Sequence, residues 1–580
     1  MTRRRSAAEN VAGLYLELLA DRGVDYLFAN SGTDFAPLIE AMCRPGARFP
    51  APITVPHENV AMSMAHGYAM VTGRAQAVMV HVNVGTANAV CGVINAARSQ
   101  VPVLVTAGRS PVTESGALGT RDVATHWSQE MFDQAGMVRE MVKWEYELRT
   151  PGQVEAVVDR ALNIAMTEPC GPVYLTLPRE VISQPVTQAS YDSPSPRAVP
   201  SPAYPDPAAL ARAARLLLGA EQPLVITSNV GRDPACVTAL AALAEEFALP
   251  VSHKWARVVC LPSDHPMHAG YEPGAMVGEA DAILVLDCDV PWIPTYQPPR
   301  EDCPVIHMGP DPLFSRYPVR GYRADVAVTC NPRAALPLLA EAMRPGAGEA
   351  SARIARRRER VAALRAKQKR AIEEVVATTR TQAPLHPAWV CHCVDQVKGE
   401  DAIVIEEGPV VLEQLTLRRP GSFFRAQAGG LGWGLGAALG AKLAAPERLV
   451  VCFQGDGSYM FGAPVAAHNV GRQYDLPVLY VVFNNAMWGA VRRATRSMYP
   501  AGHAARSTEE PFVRLDGTPH LERVVGASDG YGERVDDPAE LPAALKRAVH
   551  AVTKERRQAV LNVITQAPAH TFAGAAMKPL

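Results

Sequence analysis

The 580-residue chain carries almost no net charge, since 57 Lys and Arg stand against 58 Asp and Glu. A net charge of −1 supplies no basic field, which sets aside nucleic acid and acidic membranes as partners. Long apolar runs are missing too, so no segment reads as a membrane span. Met1-Thr2-Arg3-Arg4-Arg5 leads into an amphipathic stretch rather than the apolar heart of a signal peptide, and the cytoplasm is the expected compartment. The eleven cysteines are scattered, and Cys391-His392-Cys393 lacks zinc-finger spacing; reduced, buried thiols are expected. No strong internal repeat is visible. With 48% hydrophobic and 20% charged residues, the chain can build several substantial cores, as a large enzyme does.

Two stretches divide it. Ser183 to Pro207 is rich in proline and serine, which disfavours regular structure. A second linker is expected from Pro345-Gly346-Ala347-Gly348, continuing as a basic helix, Arg353 to Glu374, solvated and joining domains. The fold class is therefore α/β: three domains, 1–187, 205–345 and 385–570, with mostly parallel sheets flanked by helices. Strand signals fall at Ala77 to Val84, Val101 to Thr106, Pro223 to Thr227 and Ala282 to Leu286.

The strongest chemical signal is Gly455-Asp456-Gly457-Ser458, followed 29 positions after the aspartate by Asn484-Asn485. Each group closes a short, apolar, partly β-branched run, Leu449 to Phe453 and Val478 to Phe483, with a helix-length segment, Ala463 to Tyr474, between them. A right-handed βαβ crossover places both at the carboxyl ends of neighbouring strands, where open α/β sheets bind ligands. Magnesium takes hard oxygen ligands, usually one or two from protein and the rest from phosphates and water, which suits one carboxylate and one amide. Gly455, Gly457 and Ser458 let backbone N–H groups approach a phosphate. The pair therefore reads as a metal-diphosphate site.

This spacing resembles the thiamin diphosphate motif, and the resemblance runs over nearly the whole chain, towards the benzoylformate decarboxylase and acetolactate synthase families. His57-Glu58-Asn59-Val60-Ala61 matches the segment carrying the family's activating glutamate. Thr33, and His81 ahead of Gly85-Thr86-Ala87-Asn88, match active-site positions of benzoylformate decarboxylase; Gln129-Glu130 is similar to a segment of acetolactate synthase, with Ser128 where that family has Phe. The resemblance implies a pyrimidine-binding, a middle and a diphosphate-binding domain. It implies Asp456, Asn485 and the carbonyl of Met487 as Mg2+ ligands, and Gly429 and Leu431 as the turn that holds the pyrimidine and bends the cofactor into a V. Glu58, His81, Thr33 and Gln129 become the expected catalytic residues. The cofactor is expected between two subunits, which makes a homodimer the minimum and a homotetramer the usual state. FAD is left open.

The expected reaction makes or breaks the bond beside the carbonyl of a 2-oxo acid, as a lyase or transferase. His81 and Leu431 favour a benzoylformate decarboxylase-like pocket, where acetolactate synthases carry methionine at the second position. The second histidine of that pocket falls near Tyr296, and the acceptor-selecting tryptophan of acetolactate synthases is replaced by Ala494. Ala490 and Ala494, four apart on an expected helix, leave room for a bulky substituent. A dinucleotide-binding oxidoreductase is the rival reading, but Gly432-Trp433-Gly434-Leu435-Gly436 is not G-x-G-x-x-G, and its strand follows the run instead of leading into it. Retention of Glu58, Asp456 and Asn485 together opposes a non-catalytic, scaffolding relative.

Overall fold

A computed structural model describes residues 2–46, 48–515 and 520–566, so the expected end of the third domain at 570 lies outside the described residues. Three parallel sheets with helices on their faces follow one another along the chain. The first has the order Ala51–Thr54, Tyr26–Ala29, Gln76–Val80, Val103–Arg109, Val173–Pro178, Glu145–Glu147. Five strands form the second: Val251–His253, Pro223–Thr227, Ala282–Leu286, Val305–Gly309, Val326–Thr329. The third runs Phe423–Arg425, Ile403–Glu407, Val450–Gly455, Leu479–Asn484, Ala559–Ile564, Tyr531–Val535. Their central strands are apolar and buried at nearly every position, because helices cover both faces of a parallel sheet.

The helices Glu58–Thr72 and Trp433–Ala444 lock the first and third sheets together. A methyl group added at Gly67 would lie 2.2 Å from the carbonyl oxygen of Ala437, and one at Gly440 would lie 2.0 Å from that of Met64. The glycine run after Leu431 thus serves close helix packing as well as the turn that precedes it.

Three linker expectations change. Within Ser183 to Pro207, Ser190–Ser193 forms a strand, antiparallel to Thr2–Arg5, because that arginine-rich edge supplies its backbone partners. The helix Pro332–Ala347 runs through Pro345 without a break. The basic helix is longer, Ser351–Thr379, and only partly solvated. Its Ile354 and Val361 are buried, and so is Arg357, whose guanidinium donates to the carbonyls of Leu217 (2.8 Å), Leu218 (3.0 Å), Ala220 (3.1 Å) and Phe247 (3.1 Å). Those carbonyls end two middle-domain helices and have no partner inside them. No helix among the described residues is long and apolar enough to cross a membrane.

Candidate active site

The strand Val450–Gly455 passes straight into a helix, Asp456–Phe461, so the Gly-Asp-Gly segment is a strand-to-helix junction. Register pairs Gly455 with Phe483 on the adjacent strand, which brings Asp456 and Asn485 to the same sheet edge. Asp456 is buried; its Oδ1 accepts from the Gly457 amide at 2.8 Å, while its Oδ2 is enclosed without a hydrogen-bond partner. Burial raises its pKa, opposed by the backbone amides of Gly457, Ala486, Asn485 and Met487, which point towards the carboxylate without closing a hydrogen bond on Oδ2. A buried carboxylate oxygen left unpaired is costly, and a divalent cation satisfies it without a proton. Asn485 Oδ1 accepts from the Met487 amide at 3.1 Å, folding the chain so that both residues face the same space as Asp456. Trp488 packs over Gly457, where a methyl group would meet its ring at 2.3 Å.

The opposite wall is the turn before helix Trp433–Ala444. Gly429 and Gly432 hold φ of 68° and 80°, left-handed values that favour glycine. Two side chains fix this turn. Asn95 donates to the Gly430 carbonyl at 2.8 Å and accepts from its amide at 3.2 Å. Glu407 accepts from the amides of Gly432 and Gly434, both at 2.6 Å, and from Gln454 at 2.7 Å. Burial pushes the Glu407 carboxyl up to about 7 despite these donors. Between the walls lies a cavity of about 390 Å³, bordered by Gly429, Leu431, Asp456, Ser458, Asn485 and Met487. Among the described residues no group of three or more His, Cys, Asp or Glu forms a metal site. A cation here would therefore rest on Asp456, the Asn485 amide and a backbone carbonyl, completed by phosphate oxygens. The unpaired Oδ2 and the open turn fit a metal-bound diphosphate.

Glu58 opens the helix Glu58–Thr72, almost fully buried, and its Oε2 accepts from Asn88 at 2.5 Å. His81 falls outside the strand, although a strand signal was expected over Ala77 to Val84: the strand stops at Val80, and His81 is the N-cap of the helix Val82–Arg98. The β-branched Val82 and Val84 imitate a strand but lie in the first turn of a helix. His81 Nδ1 lies 2.6 Å from Asp34 Oδ1. Thr33 is exposed at the start of a short 3-10 turn, and Gln129 is half-buried at the end of the helix Thr125–Ser128. None of these four borders the cavity, which is built from the second and third domains alone. Ala490 borders it, Ala494 does not, and Tyr296 is exposed far along the chain from both.

Asp34, Asn95 and Glu407 carry no motif of their own, and Asn88 lay in the segment Gly85-Thr86-Ala87-Asn88 with no role assigned to it. The only signal was polarity within apolar surroundings, as with Asn95 inside Val93-Ile94-Asn95-Ala96-Ala97.

Three family models match the chain: the thiamine pyrophosphate enzyme N-terminal TPP binding domain over residues 9–137, the central domain over 210–339 and the C-terminal TPP binding domain over 409–563. Benzoylformate decarboxylase of Pseudomonas aeruginosa is 28% identical, covering 82% of this chain and 86% of that protein. Acetolactate synthase isozyme 3 large subunit of Escherichia coli is 25% identical over 94% of this chain and 93% of its own. The crystal structure of benzoylformate decarboxylase from Polynucleobacter necessarius shares the fold, with a TM-score of 0.77, 21% identity, and coverage of 99% of this chain and all of that one.

Proposed function

This chain belongs to the thiamine pyrophosphate enzyme family, and on that premise we propose that it binds Mg2+ and thiamin diphosphate and makes or breaks the bond beside the carbonyl of a 2-oxo acid. The observation that carries the reading is the partnerless Oδ2 of Asp456, facing a turn held open by Asn95 and Glu407. Asp456, Asn485 and the Met487 carbonyl hold the cation; Gly455, Gly457 and Ser458 approach the diphosphate; Gly429 and Leu431 receive the pyrimidine. When bound, the cofactor supplies a nucleophilic carbon and an electron sink for the donor's carbonyl.

The chain's own residues do the rest. Glu58, buried and oriented by Asn88, is placed to hydrogen-bond the aminopyrimidine ring and shift its tautomer. His81 moves protons at the donor, with Thr33 and Gln129 assigned to the same pocket. Because these four sit apart from the cavity within one chain, the complete site is assigned to two copies: Glu58 and His81 of one facing Asp456 and Leu431 of the other. The active unit is then a homodimer at least, with a homotetramer the expected state, working in the cytoplasm. Residues 1–187, 205–345 and 385–570 become the pyrimidine-binding, middle and diphosphate-binding domains.

The names of the relatives favour a decarboxylase or a carboligase. A panel of 2-oxo acids, with and without aldehyde or keto-acid acceptors, monitored for carbon dioxide and coupled product, separates the two outcomes. Absence of both products across the panel, with cofactor shown to be bound, would overturn the substrate class.

A further inference from the structure

Two separate segments, His81-Val82 and the strand end at Gly108, converge on Asp34. Its Oδ1 faces His81 Nδ1 at 2.6 Å, and its Oδ2 accepts from the Val82 amide at 3.2 Å. The carboxylate is 3% exposed, whereas His81 keeps 21% of its side chain open. Space for the pair is made by glycine on both sides: a methyl group at Gly108 would lie 1.8 Å from Asp34 Oδ2, and one at Gly32 would lie 2.1 Å from His81 Nδ1. Val82, held by the same carboxylate, has φ of 34°. A β-branched residue rarely adopts that conformation, and local strain of this kind persists only where surrounding contacts over-determine it.

We propose that Asp34 is the positioning residue of His81, a buried carboxylate that fixes the ring's orientation and tautomer and leaves Nε2 as the nitrogen that exchanges a proton with the substrate. This rests on the assignment of His81 to the reaction above. A carboxylate can only accept, so Nδ1 carries a proton in both charge states of the ring. The titrating proton is therefore the one on Nε2. In the forward sense Nε2–H gives its proton to the substrate, the imidazolium becomes neutral, and the Nδ1–H bond to Asp34 is unchanged; solvent returns the proton afterwards.

The hydrogen bond to Asp34 raises the His81 pKa, opposed by partial burial and assisted by the charges of Asp34 and Glu58. His126, on the helix Thr125–Ser128, has its own pKa lowered, chiefly by burial, and by the charges of Arg179, Arg121 and His81 against that of Asp122. The aspartate is the near partner and decides the sign. His81 is therefore protonated to a higher pH than a free imidazole.

The test is a pH titration of the full chain with histidine labelled with 13C at Cε1 and 15N in the ring, His81 being assigned by its loss in His81→Gln. In the wild type, the 15N shifts above the midpoint should report the Nδ1–H tautomer, and in Asp34→Asn the midpoint should fall. A wild-type ring in the Nε2–H tautomer, or an unchanged midpoint in Asp34→Asn, overturns the proposal. The tautomer is read from the wild type, so a variant that fails to fold leaves that decision standing. In the holoenzyme with its best donor, the alkaline limb of kcat should move down in Asp34→Asn with the His81 midpoint; a limb that stays fixed while the midpoint moves removes His81 from the reaction and leaves the pairing intact.

Discussion

Asn95 grips Gly430 through both of its polar atoms, donating to the carbonyl at 2.8 Å and accepting from the amide at 3.2 Å. The two residues belong to different domains of one chain: Asn95 rides the helix Val82–Arg98, and Gly430 lies in the turn that borders the cavity shared with Asp456 and Asn485. The helix that His81 caps therefore also sets the position of Leu431.

Asn95→Leu preserves side-chain size but leaves the Gly430 N–H and C=O without their partner. Each net hydrogen bond contributes about 0.5–1.5 kcal/mol. Thiamin diphosphate affinity should fall roughly 5- to 150-fold while the helix remains. Calorimetric titration with Mg2+ present measures this; affinity within twofold of wild type would mean that the turn holds itself.

For Asp456 the sign of the pKa shift separates stability from binding. Its folded pKa is raised, so the folded state binds more protons than the unfolded one, and this group's contribution to stability falls as pH rises through its unfolded pKa and up to the folded one. At neutral pH without metal the ionised side chain is a liability. Asp456→Asn should then raise the melting temperature of the metal-free protein, by about 2–4 °C for each kcal/mol relieved. It should also abolish Mg2+-dependent retention of thiamin diphosphate. A lower melting temperature in the metal-free variant would remove the argument that the unpaired Oδ2 awaits a cation.

Glu58→Gln keeps the shape of the side chain but loses the charge that Asn88 orients. Turnover should drop about 100- to 10,000-fold with cofactor still bound. Deuterium exchange at the bound cofactor's C2 position isolates this step from later ones. Wild-type exchange in the variant would make Glu58 a structural residue.

Where the chain obeys one period, the fold was legible. Pro223–Thr227 and Ala282–Leu286 are strands end to end, because buried parallel strands are continuous apolar runs bounded by turns. The meeting of Asp456 and Asn485 at one sheet edge was legible for the same reason, as each ends such a run. His81 was misplaced by one element because Val82 and Val84 are strand-forming types in the first turn of a helix whose start is set by tertiary contacts, among them Asp34 with the Val82 amide. Arg357 was read with the solvated charges around it; only the packed helix ends reveal what its guanidinium binds. Asn95 and Glu407 depend on backbone groups hundreds or tens of residues away, and local pattern carries no record of such partners.

Arg357→Met should destabilise the fold without touching the cavity. The substitution retains an apolar stem but strands the carbonyls of Leu217, Leu218 and Phe247, at a cost of about 1–3 kcal/mol for an unsatisfied buried group. Chemical denaturation should show a lower midpoint, with the affinity of the folded enzyme for thiamin diphosphate unchanged. An unshifted midpoint would show that water replaces the guanidinium there.

Ala490 and Ala494 stand one turn apart on the helix Gly489–Met498, yet only Ala490 borders the cavity of a single chain. If both had faced the cavity, a large residue at either would shrink the donor pocket alike. The geometry instead predicts a graded response. Ala490→Phe should depress kcat/KM for 2-oxo acids with bulky side chains by at least tenfold more than for the smallest active donor, since added ring volume acts on the larger group first. Ala494→Phe should discriminate less within one chain's cavity and act chiefly where a second copy closes the site. A donor series of increasing size, run on both variants with cofactor saturating, reads the difference directly. Equal discrimination by the two variants would place both residues on the same wall, and a flat profile for Ala490→Phe would move the donor pocket away from this helix.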